Sequence, residues 1–135
     1  MKLKFVSPLF ILLSIFVSCS APIQAPVNKS VDYSMISVSD LKDLLESGED
    51  FLFVNVHIPL EGNIPGTDFD VPYNEIKENL SLFPENKDAN IVIYCRSGSM
   101  GDEAAQKLAD LGYTHVSNLE GGYNAWKAYG LPFED

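Results

Sequence analysis

Cys95 closes an apolar run, Ile91-Val92-Ile93-Tyr94-Cys95, and the next six residues are Arg96, Ser97, Gly98, Ser99, Met100 and Gly101. A thiol in that position can serve as a nucleophile. Gly98 and Gly101 permit backbone angles that other residues resist, so successive amide N–H groups can turn toward one sulfur. A helical pattern opens near Asp102, and a helix start adds about half a positive charge pointing the same way. Both effects favour the thiolate, the form that attacks. The competing reading is a buried structural cysteine, a common fate for a lone thiol at the end of an apolar strand. The residues alone leave both open.

Other chemistry is nearly missing. His57 and His115 are the two histidines, and neither has metal-ligand spacing with a cysteine. No G-x-S-x-G occurs, and Glu120-Gly121-Gly122 lacks the flanks of a nucleotide loop. No metal or cofactor is therefore expected. The formal charge is −10, from 9 basic and 19 acidic residues, with no basic cluster to offset it. Such a surface repels phosphate backbones, which argues against nucleic acid as a partner. Tyr123, Trp126 and Tyr129, at helical spacing, read as core.

The second cysteine is Cys19, and it ends the stretch MKLKFVSPLFILLSIFVSC. Lys2 and Lys4 precede an apolar segment from Phe5 to Val17, which is shorter than the roughly twenty residues a spanning helix needs. The pattern is that of a signal peptide over residues 1–18. Phe16-Val17-Ser18-Cys19 resembles a bacterial lipobox, with Phe16 where leucine is usual, and this makes Cys19 a lipidation candidate. An ordinary secretory signal cut between Ser18 and Ala25, or an uncleaved anchor, are the alternatives. All three export the domain to the cell envelope or beyond, and the lipid anchor is the membrane contact expected. Residues 19–34 carry prolines and small polar residues without apolar period, and read as a flexible tether spanning roughly 20 Å.

Residues 35–135 must then supply the elements that position Cys95, and a chain of 135 residues fits one such domain. Val38, Leu41, Leu44 and Leu45 fall on one helical face, with Ser37 and Asp40 as a capping box and Gly48 as the stop. Phe51–Val56 and Ile91–Cys95 are short and almost wholly apolar, as strands buried on both faces are. Residues 102–112 form a second helical stripe ending at Gly112. His115–Leu119 is a third strand and Tyr123–Gly130 a last helix. Strands alternating with helices predict an α/β layered fold with a mostly parallel central sheet. Ligands in such sheets bind beyond the carboxyl ends of the strands, which is where Cys95 stands.

The stretch from Tyr94 to Trp126 resembles the second half of a rhodanese-homology domain. That family carries a C-R-S-G-x-x loop, a helix, a Gly-φ-x-x-V turn into a strand, and L-x-G-G-x-x-A-W. Here the turn is Gly112-Tyr113-Thr114-His115-Val116 and the last motif runs from Leu119 to Trp126. Upstream, the segment from Phe53 to Ile76 resembles the family's D-V-R-x-x-x-E-x-x-x-G-H-I-P-G-A-x-x-I-P. The likeness covers about residues 36–133. It implies an α/β fold with a mostly parallel central sheet flanked by helices on both sides. It also implies a single-domain sulfurtransferase whose Cys95 accepts a sulfane sulfur as a persulfide and hands it to a thiol or other thiophile. By position it implies that Arg96, Ser97, Gly98, Ser99, Met100 and Gly101 bind substrate. The implied partners are a small sulfur-containing donor and a thiol acceptor, with room for a protein acceptor.

Three departures stand out. Asn55 and His57 occupy the places of the Asp and Arg in D-V-R, and Asn63 that of the His in G-H-I-P-G. Asn55 can hydrogen-bond a loop but cannot neutralise a charge. His57 reads as a rim residue, a weak proton donor or a surface histidine. Met100 brings neither hydroxyl nor charge, so Arg96 is the loop's one cation and thiosulfate is placed in doubt as the favoured donor. A catalytically quiet binding or redox-sensing module is the alternative function. A phosphatase would want the pattern C-x5-R, and position 101 is glycine.

Overall fold

A computed structural model describes residues 32–135; the signal stretch, Cys19 and most of the tether lie outside the described residues. Among the described residues no helix is long and apolar enough to cross a membrane. The three apolar segments form the middle of one sheet as β2 (Leu52–Asn55), β4 (Asn90–Tyr94) and β5 (His115–Leu119). Two short strands complete it, β1 (Ser34–Ile36) and β3 (Phe69–Asp70). The order is β1-β5-β4-β2-β3, and every pairing is parallel. Ser34, placed in the tether by composition, is the first residue of β1 and pairs with Ser117.

Side chains alternate across the sheet. Val54, Ile91, Ile93 and Val116 face α2 (Ser99–Asp110), which buries Ala104, Ala105 and Leu108 against them. Phe53, Val92, Tyr94 and Leu119 face the other way. There they meet Leu41 of α1 (Val38–Ser47) and Tyr123 and Trp126 of α3 (Gly122–Ala128). With helices on both faces, a central strand can be apolar at every position, which explains its continuous pattern. Each large side chain buried this way contributes about 1.5–3 kcal/mol.

α1 follows expectation: Ser37 accepts the Asp40 N–H at 3.1 Å, and Gly48 ends the helix at a φ of 74°. α2 starts three residues before Asp102, because Gly98, at a φ of 116°, reverses the chain immediately after Ser97. The Asp102 N–H then bonds the Gly98 carbonyl at 2.9 Å. Gly101 consequently sits inside the helix with an ordinary φ. It is required for space, since a Cβ there would collide with the Asn118 carboxamide. Tyr129 is 59% exposed and not core, because α3 ends at Ala128 and the helical face ends with it.

Candidate active site

Cys95 follows β4, which lies between β5 and β2, at the carboxyl end of the sheet. Its thiol is free and 1% exposed, packed on the α2 side of the core. The Gly98 N–H donates to Sγ at 3.0 Å. Ser99, Met100 and Gly101 form the first turn of α2, where amides have no intrahelical carbonyl to bond. The helix therefore presents its positive end to the loop that starts at the sulfur. Ser97 and Ser99 are exposed. Met100 is half-buried and packs on the core cluster that contains Cys95, so its side chain is partly committed to packing.

Two supports fix this loop from behind. Asn118 of β5 is fully buried, and its Nδ2 donates to the Gly98 carbonyl at 3.0 Å and to Asp102 Oδ1 at 2.9 Å. Flipping the carboxamide would point its oxygen at a carbonyl and a carboxylate, so the orientation is fixed. Tyr33, just before β1, donates to the same Asp102 oxygen at 2.9 Å. From the other side, α3 docks on the loop backbone: Tyr123 N–H bonds the Cys95 carbonyl at 2.9 Å and Asn124 N–H the Arg96 carbonyl at 3.0 Å. Gly122, at a φ of 59°, makes that approach feasible, because any Cβ there would strike the Cys95 and Arg96 carbonyls.

The segment after β2 forms the opposite wall. Asn55 is buried, and its Nδ2 donates to the Gly62 carbonyl at 3.0 Å and Asn63 Oδ1 at 2.8 Å, while its Oδ1 accepts the His57 N–H at 2.9 Å. It ties its own segment together, and those bonds run to residues 57–63, not to the Cys95 loop. Asn63 Oδ1 also accepts from the Tyr94 hydroxyl at 3.0 Å, so the substituted positions 55 and 63 bond one another and the central strand.

His57 is not a surface histidine. It is 8% exposed, stands edge-on to the Tyr123 ring at 5.6 Å, and neither ring nitrogen has a hydrogen-bond partner. Its Nε2 lies 3.9 Å from the Glu61 carboxylate. Burial holds the imidazole below its ordinary pKa against the pull of Glu61. It is a neutral, desolvated ring at neutral pH.

Glu61 joins the two walls, and sequence reasoning did not single it out. Its Oε1 accepts from Arg96 Nη1 at 3.3 Å, and its Oε2 accepts from the Tyr123 hydroxyl. That hydroxyl, ahead of Arg96, holds the Glu61 carboxyl below the usual carboxylate range. A glutamate does stand four residues after His57, as the upstream family pattern has it, and that was the available signal. For Asn118 the sequence offered none, since only the fold brings it within reach of Gly98. Among the described residues no three His, Cys, Asp or Glu side chains gather as a metal centre would require.

The geometry therefore places a shielded thiol against an amide at a helix start. Residues 34–129 match the family described as Rhodanese-like domain. A sulfurtransferase of Allochromatium vinosum is 39% identical over 100 residues, covering 72% of this chain and 91% of its own length. The human thiosulfate:glutathione sulfurtransferase is 31% identical over 106 residues, covering 67% and 90%. Among solved structures, a rhodanese-like domain protein from Staphylococcus aureus superposes with a TM-score of 0.63 at 28% identity, covering 76% of this chain and 99% of that one. The fold, the order of its motifs and these relatives agree: the chain belongs to the rhodanese-like domain family.

Proposed function

We propose that this protein is a sulfurtransferase in which Cys95 accepts a sulfane sulfur as a persulfide and passes it to a thiol. The observation that carries the reading is the hydrogen bond from Gly98 N–H to Cys95 Sγ at the start of α2. Persulfide and thiolate are both sulfur anions, so the Gly98 amide and the helix start behind it favour both states of the cycle. Sulfurtransferase relatives support the class of reaction, and the human relative's name supports glutathione as the kind of acceptor. Phosphatase chemistry fits less well, because the position that closes C-x5-R is Gly101, where Asn118 leaves no room for a side chain.

The test is mass spectrometry of the purified protein after exposure to thiosulfate and, separately, to glutathione persulfide. The expected result is one added sulfur on Cys95, lost on adding glutathione and not formed in Cys95→Ser. Of the alternative, a catalytically quiet binding or redox-sensing module, the 1% exposure of Cys95 favours the quiet binding form, since a redox sensor needs an accessible thiol. A native protein that takes up no sulfur and resists alkylation until denatured would favour it.

The setting is part of the proposal. Residues 1–18 export the chain, Cys19 carries lipid, and the domain faces sulfur compounds outside the cytoplasm. The support is the sequence of that stretch alone.

A further inference from the structure

The loop's single cation is already paired. Arg96 is the only Lys or Arg between Cys95 and Gly101, and its Nη1 lies 3.3 Å from Glu61 Oε1. Glu61 is held in that place by Tyr123, whose ring is buried and whose hydroxyl donates to the other carboxylate oxygen. Tyr123 in turn sits at the start of α3, with its own N–H on the Cys95 carbonyl. The carboxylate and the sulfur loop are therefore indexed to one residue. His57 does not add a compensating charge, because its buried ring lacks partners for a second proton other than Glu61 at 3.9 Å. Glu61 therefore offsets the one cation that the loop itself carries.

We propose that Glu61, fixed by Tyr123, is a specificity-determining residue: by pairing with Arg96 it biases the site toward thiol persulfides and away from thiosulfate. The proposal rests on the reading that Cys95 carries the transferred sulfur. With thiosulfate, the Cys95 thiolate attacks the sulfane sulfur, the bond from that sulfur to the sulfonate sulfur breaks, and sulfite leaves with the bonding pair. Three negative charges meet at the loop in that step; two leave with sulfite and one stays on Cys95 as the persulfide anion. With a persulfide anion the same attack on the terminal sulfur releases a thiolate, and two negative charges meet. The carboxylates of a donor such as glutathione persulfide lie several bonds from the transferred sulfur. A free guanidinium near the loop helps the more highly charged donor more, and Glu61 withholds it.

Steady-state kcat/KM for thiosulfate and for glutathione persulfide, measured on wild type, Glu61→Gln, Arg96→Gln and the double variant, tests this. Glu61→Gln should raise the thiosulfate value about tenfold, the scale of one unit charge near a partly solvated site, and leave the persulfide value within about twofold. The gain should vanish in the double variant, because it works through Arg96. Tyr123→Phe keeps the buried ring and loses the hydroxyl, so it should give a smaller gain of the same selectivity. Equal changes for both donors, no gain in either variant, or a gain that survives without Arg96 would each overturn the proposal. Failure of the wild type to load sulfur on Cys95 from either donor would remove the underlying reading and this proposal with it. Loading without a donor-selective effect of Glu61 removes this proposal alone.

Discussion

Asn118 connects the strand that carries it to the peptide that touches the sulfur. Its carboxamide bonds the Gly98 carbonyl, and the amide of that same glycine donates to Cys95 Sγ. Replacing Asn118 by leucine keeps the branched shape, adds bulk, and leaves the Gly98 carbonyl without its donor. The expected cost is about 1–3 kcal/mol, read as a lower urea midpoint with unchanged m-value, together with slower sulfur uptake by Cys95. Full stability in that variant would mean that the loop holds its shape unaided. His57 makes a second prediction. The unfolded chain binds a proton at this side chain near pH 6.5, the ordinary value for histidine. The folded chain binds it only at lower pH, because burial penalises the cation. Stability from this group is therefore intact above about pH 6.5 and declines as pH falls toward the lowered folded value. His57→Gln should flatten the pH dependence of the urea midpoint across that window, and an unchanged slope would place the titration elsewhere.

α3 works on the loop through its first turn, and its fit depends on Gly122. The Tyr123 and Asn124 amides reach the Cys95 and Arg96 carbonyls only because no Cβ intervenes. Gly122→Ala must push α3 away and also strain a φ of 59°. The expected loss is about 1–3 kcal/mol, with a change in the alkylation rate of Cys95, measured on folded protein; an unaltered rate would show that α3 does not set the loop. The same elements show what the sequence made legible. β2, β4, β5 and the three helices announce themselves by apolar runs, helical stripes and caps, since those patterns report burial directly. β1 and β3 have three and two residues, and exist through their pairing with β5 and β2 rather than through any pattern of their own. Cys95 and its loop could be read because they are contiguous. Glu61 and Asn118 could not be chosen in the same way, as they join that loop across separations of 35 and 20 residues.

On the scale of the whole chain, the net acidic charge and the leader proposed for residues 1–18 bear on one question, how the domain stays where it works. A net charge of −10 gives no electrostatic hold on anionic lipid, and no described helix can span a bilayer. On the proposed reading the acyl group on Cys19 holds the protein at the membrane, and hydrocarbon insertion is insensitive to ionic strength while polybasic attachment is not. The protein should therefore pellet with membranes and resist extraction by high salt, yet dissolve in detergent. Cys19→Ala should either release a soluble form or stall as a precursor that retains residues 1–18, and the processed native N-terminus should carry the mass of acyl chains. Lipidation of Cys19 would also take the second thiol out of reach, so that Cys95 of the exported protein proposed above would stay free to cycle without risk of a disulfide. Native protein recovered in the cytosol with residues 1–18 attached would overturn the placement. It would leave the chemistry proposed for Cys95 standing, because that rests on β4, α2 and the loop between them.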